Sequence, residues 1–517
     1  MTESSLHSPS ERLRTCAAPL PSCTPITRLP TELLTQIFCH VPYIEFEESF
    51  QPHVPPPPLP PIPSWMAIVQ VCRLWRTTAT SCKQFWSYIP LQSSEYWVEI
   101  SLARSYPCPI SFRVDISAAG TRPGWYRRAA LSALREISRA REVYLYISAA
   151  IANVGFRGEV LRLLDASPAP RLKTLSIQAD DMSRDTISLS GEIFFRHVAT
   201  ALHALSLAYC DVGPSSLLLR APLISLCLEN CQLESPLESL SLLPHLQTLV
   251  LKNTDCTRFR GSDDVVARLP QLQHLEFTNT SSVVAFLLKG ILAPASVSLS
   301  ITCTDYIDTD EPLDDLTILR TIILTLSPVL STYLERALEE GHVFPLLEIV
   351  RPMDASRKTL ALLGPTSPTR LHLSVIWGEM YGPTNLFSEM LSSLPVAALK
   401  HVHTLRMRDV DDVSRSAADA RSRAYFLAQF HNKARDEAVR GLLAIVTQHG
   451  LLPALRQVSV EGVSFHKFDL AHAPVQRQRI VTSEGAMIRL SLRDCLISQD
   501  TIAALRDCLG SDAVDLV

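Results

Sequence analysis

Apolar positions along this chain follow two rhythms. In the larger part a short cassette, apolar-x-x-apolar-x-apolar, keeps returning: Leu172-Leu175-Ile177, Leu202-Leu205-Leu207, Leu223-Leu226-Leu228, Leu246-Leu249-Leu251 and Leu272-Leu275-Phe277. The later two apolar positions of each cassette alternate as on a strand, with both side chains on one face. Weaker copies follow at Leu299-Ile301, Leu319-Ile322-Leu324, Leu371-Leu373, Val402-Leu405-Met407, Leu455-Val458-Val460 and Met487-Leu490-Leu492. Ahead of the cassettes, Ile110 to Val114 and Val143 to Ile147 also alternate like strands, and Trp125 to Arg141 between them reads as helix. Near the start the rhythm is helical instead. Pro30 opens a helix, since it fixes φ and lacks only a donor that would go unpaired, and Glu32 suits the positive first turn. Leu33, Leu34, Ile37, Phe38 and Val41 then recur at helical spacing over about three turns. A second stretch begins at Pro63-Ser64 and sets Trp65, Ile68, Val69, Cys72 and Trp75 along one face, with Arg73 and Arg76 on the polar side. A last short turn carries Phe85, Trp86 and Ile89.

The cassettes begin at intervals of 30, 21, 23 and 26 residues. That spacing resembles leucine-rich repeats, whose period is about 20–29 residues. The resemblance implies a stack in which each strand buries its leucines against its neighbour, an irregular α/β horseshoe solenoid over residues 169–517. Cys210, Cys231 and Cys495 stand where such repeats carry Asn or Cys, so a structural role is expected of them. One interval is broken, with 53 residues between Val402 and Leu455. The excess coincides with a Pro-free stretch at 414–448, read as an inserted long helix with Phe426, Phe430, Leu442, Leu443 and Val446 packed down and a basic outer side. On the inner curve, residues between the leucines are expected to face a ligand. Glu229, Lys252 and Glu276 give a mixed zone, and Arg406, Arg408, Arg489 and Arg493 a basic one suited to acidic groups of a target protein.

Three blocks of the N-terminal part, Leu29-Pro30-x-Glu32-Leu33-Leu34-x-x-Ile37-Phe38, Val71-Cys72-Arg73-x-Trp75-Arg76 and Phe85-Trp86-x-x-Ile89, together resemble the F-box. The match assigns an F-box-like three-helix domain to residues 25–90, after an expected disordered tail at 1–24 and before a linking region at 91–168. Proteins that look like this are substrate receptors of SCF ubiquitin ligases. The resemblance implies that Leu29, Pro30, Leu33, Leu34, Ile37, Phe38, Val71 and Trp75 hold the Skp adaptor and, through it, cullin. The repeats would then hold a target, and two linked binding events would make ubiquitin transfer effectively intramolecular. In the rival reading the module only caps the solenoid and the protein is an interaction scaffold; an exposed patch at Leu33, Ile37 and Trp75 distinguishes the two. This chain departs from the family pattern at residues 42–63, which contain nine prolines and are expected to form an extended surface excursion rather than helix. Within it Pro57-Pro58-Leu59-Pro60 offers a docking peptide for a WW-type or SH3-type domain.

Composition narrows the field. With 517 residues, 47% of them hydrophobic and 19% charged, the chain should fold rather than stay disordered. A net charge of −4 gives no reason to expect nucleic acid. Apolar runs such as Val283 to Leu288 are far shorter than the roughly 20 residues that span a bilayer, and no secretory signal is expected. The thirteen cysteines include no Cys-x-x-Cys pair and read as reduced, which suits a cytoplasmic or nuclear protein. No phosphate-cradling glycine loop, zinc-binding His-Glu-x-x-His or nucleophile elbow is present, so neither enzyme activity, cofactor nor metal is expected.

Overall fold

A computed structural model describes residues 29–48, 62–116, 124–147, 154–179, 187–188, 201–213, 216–233, 235–256, 265–305, 315–352, 357–363, 370–376, 394–410, 452–461, 488–493 and 511–516, with single positions at 495, 499, 502, 503, 505 and 506. The expected tail at 1–24, the proline run from 49 to 61 with its docking tetrapeptide, and the helix expected at 414–448 lie outside the described residues. The chain forms two compact units. The first holds the described residues up to Val114 together with 124–143, and the second holds Asp115, Ile116 and the described residues from Tyr144 on.

The first unit starts with α1 (Thr31–Glu48), then a 3-10 turn at Ser64–Ala67, α2 (Ile68–Val71), α3 (Arg73–Ser81) and a 3-10 turn at Lys83–Trp86. It continues with β1 (Tyr88–Ile89), α4 (Glu95–Ser105), β2 (Ile110–Asp115), α5 (Gly124–Arg135) and the start of β3 (Ala140–Ile147). Its core is aromatic. Leu34, Phe38, Trp65, Met66, Ile68, Ala79, Phe85 and Trp86 are buried together, and Trp75 and Trp97 pack against them. Trp65, Phe85 and Trp86 meet edge to face, with centroids 4.8, 5.5 and 5.5 Å apart. Each such pair adds about 0.5–1.5 kcal/mol to the burial of the rings. The Trp86 indole nitrogen also donates to the Ala79 carbonyl at 3.2 Å, so its one polar atom is satisfied inside the core. Arg139 ties the end of α4 down. Its guanidinium donates to the Leu102 and Cys108 carbonyls and to Ser105 Oγ at 2.9–3.0 Å, and it also pairs with Glu136.

Two boundaries differ from the sequence reading. The pattern ends the first helix before Pro42, yet α1 runs through Pro42 to Glu48. A proline inside a helix costs about 3 kcal/mol, and here contacts made by the following turn offset it. Phe46 is buried, its ring 5.3 Å from Tyr88 and 4.3 Å from the Arg113 guanidinium. The Glu45 carboxylate accepts from Ser64 Oγ and from the Trp65 backbone nitrogen at 3.2 Å, which fixes the start of the next turn. The second difference is the helix expected to reach Arg141. It stops at Arg135, because from Ala140 the chain is taken into a strand whose Val143, Leu145 and Ile147 alternate into the core.

The second unit has a mixed α/β architecture with one large, mostly parallel sheet that does not close into a barrel. Its first elements are α6 (Val154–Ala166), β4 (Thr174–Ala179), β5 (Ile187–Ser188), β6 (Ala204–Ala208), β7 (Cys210–Val212), β8 (Ser225–Glu229) and β9 (Gln232–Leu233). Next come α7 (Pro236–Ser241), β10 (Thr248–Lys252), β11 (Ala267–Arg268), β12 (His274–Asn279), α8 (Ser281–Gly290), β13 (Ile291–Leu292), β14 (Ser298–Cys303) and α9 (Asp315–Glu339). The last are β15 (Leu346–Pro352), β16 (Arg357–Leu363), β17 (Arg370–Ile376), α10 (Val396–Leu399), β18 (Thr404–Val410), β19 (Gln457–Glu461), β20 (Arg489–Arg493) and β21 (Val514–Leu516).

The cassettes are the strands of this sheet. Register pairs Leu175, Leu205, Leu226, Leu249, Leu275, Leu299 and Leu371 into one buried ladder across β4, β6, β8, β10, β12, β14 and β17. The corners repeat too. Tyr209, Asn230 and Asn253 occupy the same place after successive strands, with φ of 56°, 50° and 48°. This left-handed bend starts each return, and asparagine tolerates it better than most residues. Buried groups just beyond it link neighbouring turns, since Cys231 Sγ donates to the Leu207 carbonyl and Thr254 Oγ1 to that of Leu228.

The regular order breaks after β14. The copy expected at Leu319-Ile322-Leu324 is not a strand but part of α9, because the apolar positions continue as Ile322, Leu326, Leu330, Leu334 and Ala337, a helical spacing whose members are all buried. Gly341, at φ 86°, closes α9, where few other residues adopt that bend readily. The chain then adds β15, β16 and β17, with β16 antiparallel to both neighbours, and sheet order runs β14-β17-β16-β15-β18-β19-β20-β21. The two strands inserted between β17 and β18 have no counterpart in the cassette pattern.

Candidate functional site

In α1 successive residues turn by about 100°, so Leu33, Ile37 and Ile44 project within about 40° of one another. All three are exposed, at 45%, 46% and 49%. Leu34 and Phe38, on the adjoining face of the helix, are wholly buried in the aromatic core. The eight residues assigned to adaptor binding therefore divide. Pro30, Leu33, Ile37 and Val71 are exposed, Leu29 and Trp75 are half-buried against the core, and Leu34 and Phe38 hold the module together from inside. The Trp75 ring lies 5.0 Å from that of Phe38, which joins α3 to α1. Val71 and Leu74, at 59% and 43% exposed, add apolar surface on α2 and α3. Sequence reasoning passed over Ile44 and Leu74. Ile44 repeats the phase of Leu33 and Ile37, and the signal is visible only once the helix is continued past Pro42.

The seven residues assigned to target binding lie on strands of the large sheet, in two groups. In the first, register sets Lys252 on β10 beside Glu229 on β8, and Lys252 Nζ reaches Glu276 Oε1 at 3.2 Å. His274 Nε2 stands 3.6 Å from the other oxygen of Glu276. Partial burial works to lower the Lys252 ammonium, but the charge and hydrogen bond of Glu276 outweigh it and hold the group above the ordinary lysine range.

The second group was expected to be a basic zone, and the strands correct that picture. Arg406 faces Glu348 across β18 and β15, Nη1 to Oε1 3.7 Å. Glu461 on β19 is in register with Arg408 on one side and Arg493 on the other, while Arg489 is paired with Gln457. Acidic and basic residues thus alternate across this end of the sheet. Glu348 escaped the sequence reading because β15 matches no cassette.

Cys210, Cys231 and Cys495 donate Sγ–H to backbone carbonyls at 3.3–3.4 Å. Burial pushes the Cys231 thiol up to about 11 and that of Cys210 well above its ordinary value, which keeps both protonated. Among the described residues no group of three or more His, Cys, Asp or Glu is placed to hold a metal ion, and no helix is long and apolar enough to cross a membrane. Compared with protein-family models, with curated proteins and with solved structures, the chain matches none.

Proposed function

We propose that this chain is a substrate-recognition subunit of an SCF-type ubiquitin ligase, with an F-box-like module that binds the Skp adaptor and a degenerate leucine-rich-repeat solenoid that binds a target protein. The observation that carries this reading is the uncovered apolar surface of the helical module. Leu33, Ile37, Ile44, Val71 and Leu74 stay exposed although the core beneath them is filled, while Trp75, expected in the same patch, is instead half-buried against that core. A module serving only as a cap would have these side chains covered by its own chain. Adaptor binding would bury them, at about 1.5–3 kcal/mol for each fully covered side chain. The alternating charges on the polar sheet face suit a target with charges of both signs better than a purely acidic one.

Co-purification of the full chain with the Skp adaptor tests the reading. The wild type should bind, and the double variant Leu33→Asp, Ile37→Asp should lose at least about tenfold in affinity, since 1.4 kcal/mol is a factor of ten. Both side chains are exposed, so the variant should keep its thermal transition. Failure of the folded wild type to bind would leave the scaffold reading.

A further inference from the structure

Cys39 on α1 and Cys82, which closes α3, hold free thiols with their Sγ atoms 3.5 Å apart, although 43 positions separate them in sequence. Neither residue belongs to the exposed apolar stripe or to a repeat corner. Both are half-buried against the aromatic core. We propose that Cys39 and Cys82 are a modification site, a thiol pair that closes reversibly into a disulfide on reaction with a small-molecule disulfide such as oxidised glutathione. The sulfurs are in contact and need to approach by about 1.5 Å to reach the bond length of about 2.05 Å. Cys82 supplies the adjustment. It sits between α3 and the following 3-10 turn in an extended conformation, φ −81° and ψ 105°, where χ1 is not held by a helical turn.

The order of events follows from the surroundings. Burial, then the hydrogen bond and charge of Cys82, push the Cys39 thiol up to about 12, so Cys39 reacts second. Cys82 as thiolate attacks one sulfur of the small disulfide, whose S–S bond breaks and releases one small thiolate. Cys39 then gives its proton to that thiolate or to water, attacks the Cys82 sulfur and displaces the second small thiol. Two protein thiols are oxidised to one disulfide, and the small disulfide is reduced to two thiols. The bond links α1 to the end of α3 across the Phe38–Trp75 contact and closes a loop that contains the proline-rich stretch.

The test uses the full chain carrying Cys72→Ser. Serine is a good helix N-cap and can replace the Cys72 Sγ that accepts from the Trp75 backbone nitrogen. In that background the tryptic fragment 29–73 carries Cys39 as its single cysteine, and fragment 77–83 carries Cys82. After incubation with oxidised glutathione, mass spectrometry should find the two fragments joined, lighter than the separate peptides by two hydrogens and parted by dithiothreitol. The thermal transition of the first unit should rise by about 5 °C or more. Cys39→Ala and, independently, Cys82→Ser should abolish both signals. The proposal is overturned if Cys39 and Cys82 stay alkylatable while other thiols are glutathionylated. Cys82 stopping at the mixed disulfide, or Cys39 joining Cys108 instead, would also overturn it.

Discussion

Trp86 in the first unit and Leu249 in the second are both buried, yet their surroundings differ in kind. Trp86 meets two other aromatic rings edge to face, gives its indole proton to one particular carbonyl, and lies under the Arg104 guanidinium at 4.5 Å. Among the described residues of its unit no other side chain repeats that arrangement. Leu249 lies between Leu226 and Leu275 in register, and the same environment recurs on strand after strand. One unit concentrates its stability in a few large side chains, whereas the other spreads it over many equivalent ones. The difference bears on function. A concentrated core frees the outer face of α1 to carry exposed apolar residues, while a repeated core leaves a long polar sheet face open to variation.

The sharpest way to break this contrast is Trp86→Ala, expected to cost about 3–5 kcal/mol and to abolish the near-ultraviolet circular dichroism of the aromatic cluster. A loss below 1 kcal/mol would mean that the cluster does not organise the unit. Leu249→Ala should cost about 2–3 kcal/mol, near the low end for buried leucine. Its hydrogen-exchange footprint should stay on β8, β10 and β12, as nearest-neighbour stacking requires; faster exchange throughout the sheet would instead make the second unit as indivisible as the first. At the corners, Asn253→Val should cost about 1–2 kcal/mol by forcing a branched side chain into the left-handed bend, and Asn253→Gly should be neutral or slightly stabilising. Equal melting temperatures for the two variants would remove the corner from the account.

The smallest effect belongs to the polar face. Lys252→Met should cost about 0.2–1 kcal/mol, less at high salt. The Lys252 ammonium is held above the ordinary value of 10.5. Its contribution is therefore fully present below that pH and is lost as pH rises through the folded value. Melting temperatures of wild type and variant should converge at strongly alkaline pH, and a gap that persists there would assign the effect to packing rather than charge.

Local pattern made much of this legible and misled where tertiary contacts intervened. The cassettes announced β4, β6, β8, β10 and β12 because period-two alternation is a local signal tied to one buried face. The same signal failed at Leu319-Ile322-Leu324, where three apolar positions fit a strand and a helix equally well until the next four turns are read as one element. Pro42 was read as a helix end because proline's local cost is known, while the contacts of Glu45 and Phe46 that offset it come from residues around Ser64, Tyr88 and Arg113.

By itself, then, the sequence determined the two rhythms and their order along the chain: a helical aromatic module first, then strands that return at a near-constant interval. Both follow from periodicity, which needs no partner to be read. Tertiary structure alone decided that Leu34 and Phe38 turn inward while Leu33 and Ile37 stay outside, that Glu348 and Glu461 stand among the arginines, and that Cys39 meets Cys82. The physical reason is common to all three. An apolar or charged side chain states what kind of neighbour it favours, but which neighbour it meets depends on where distant segments pack.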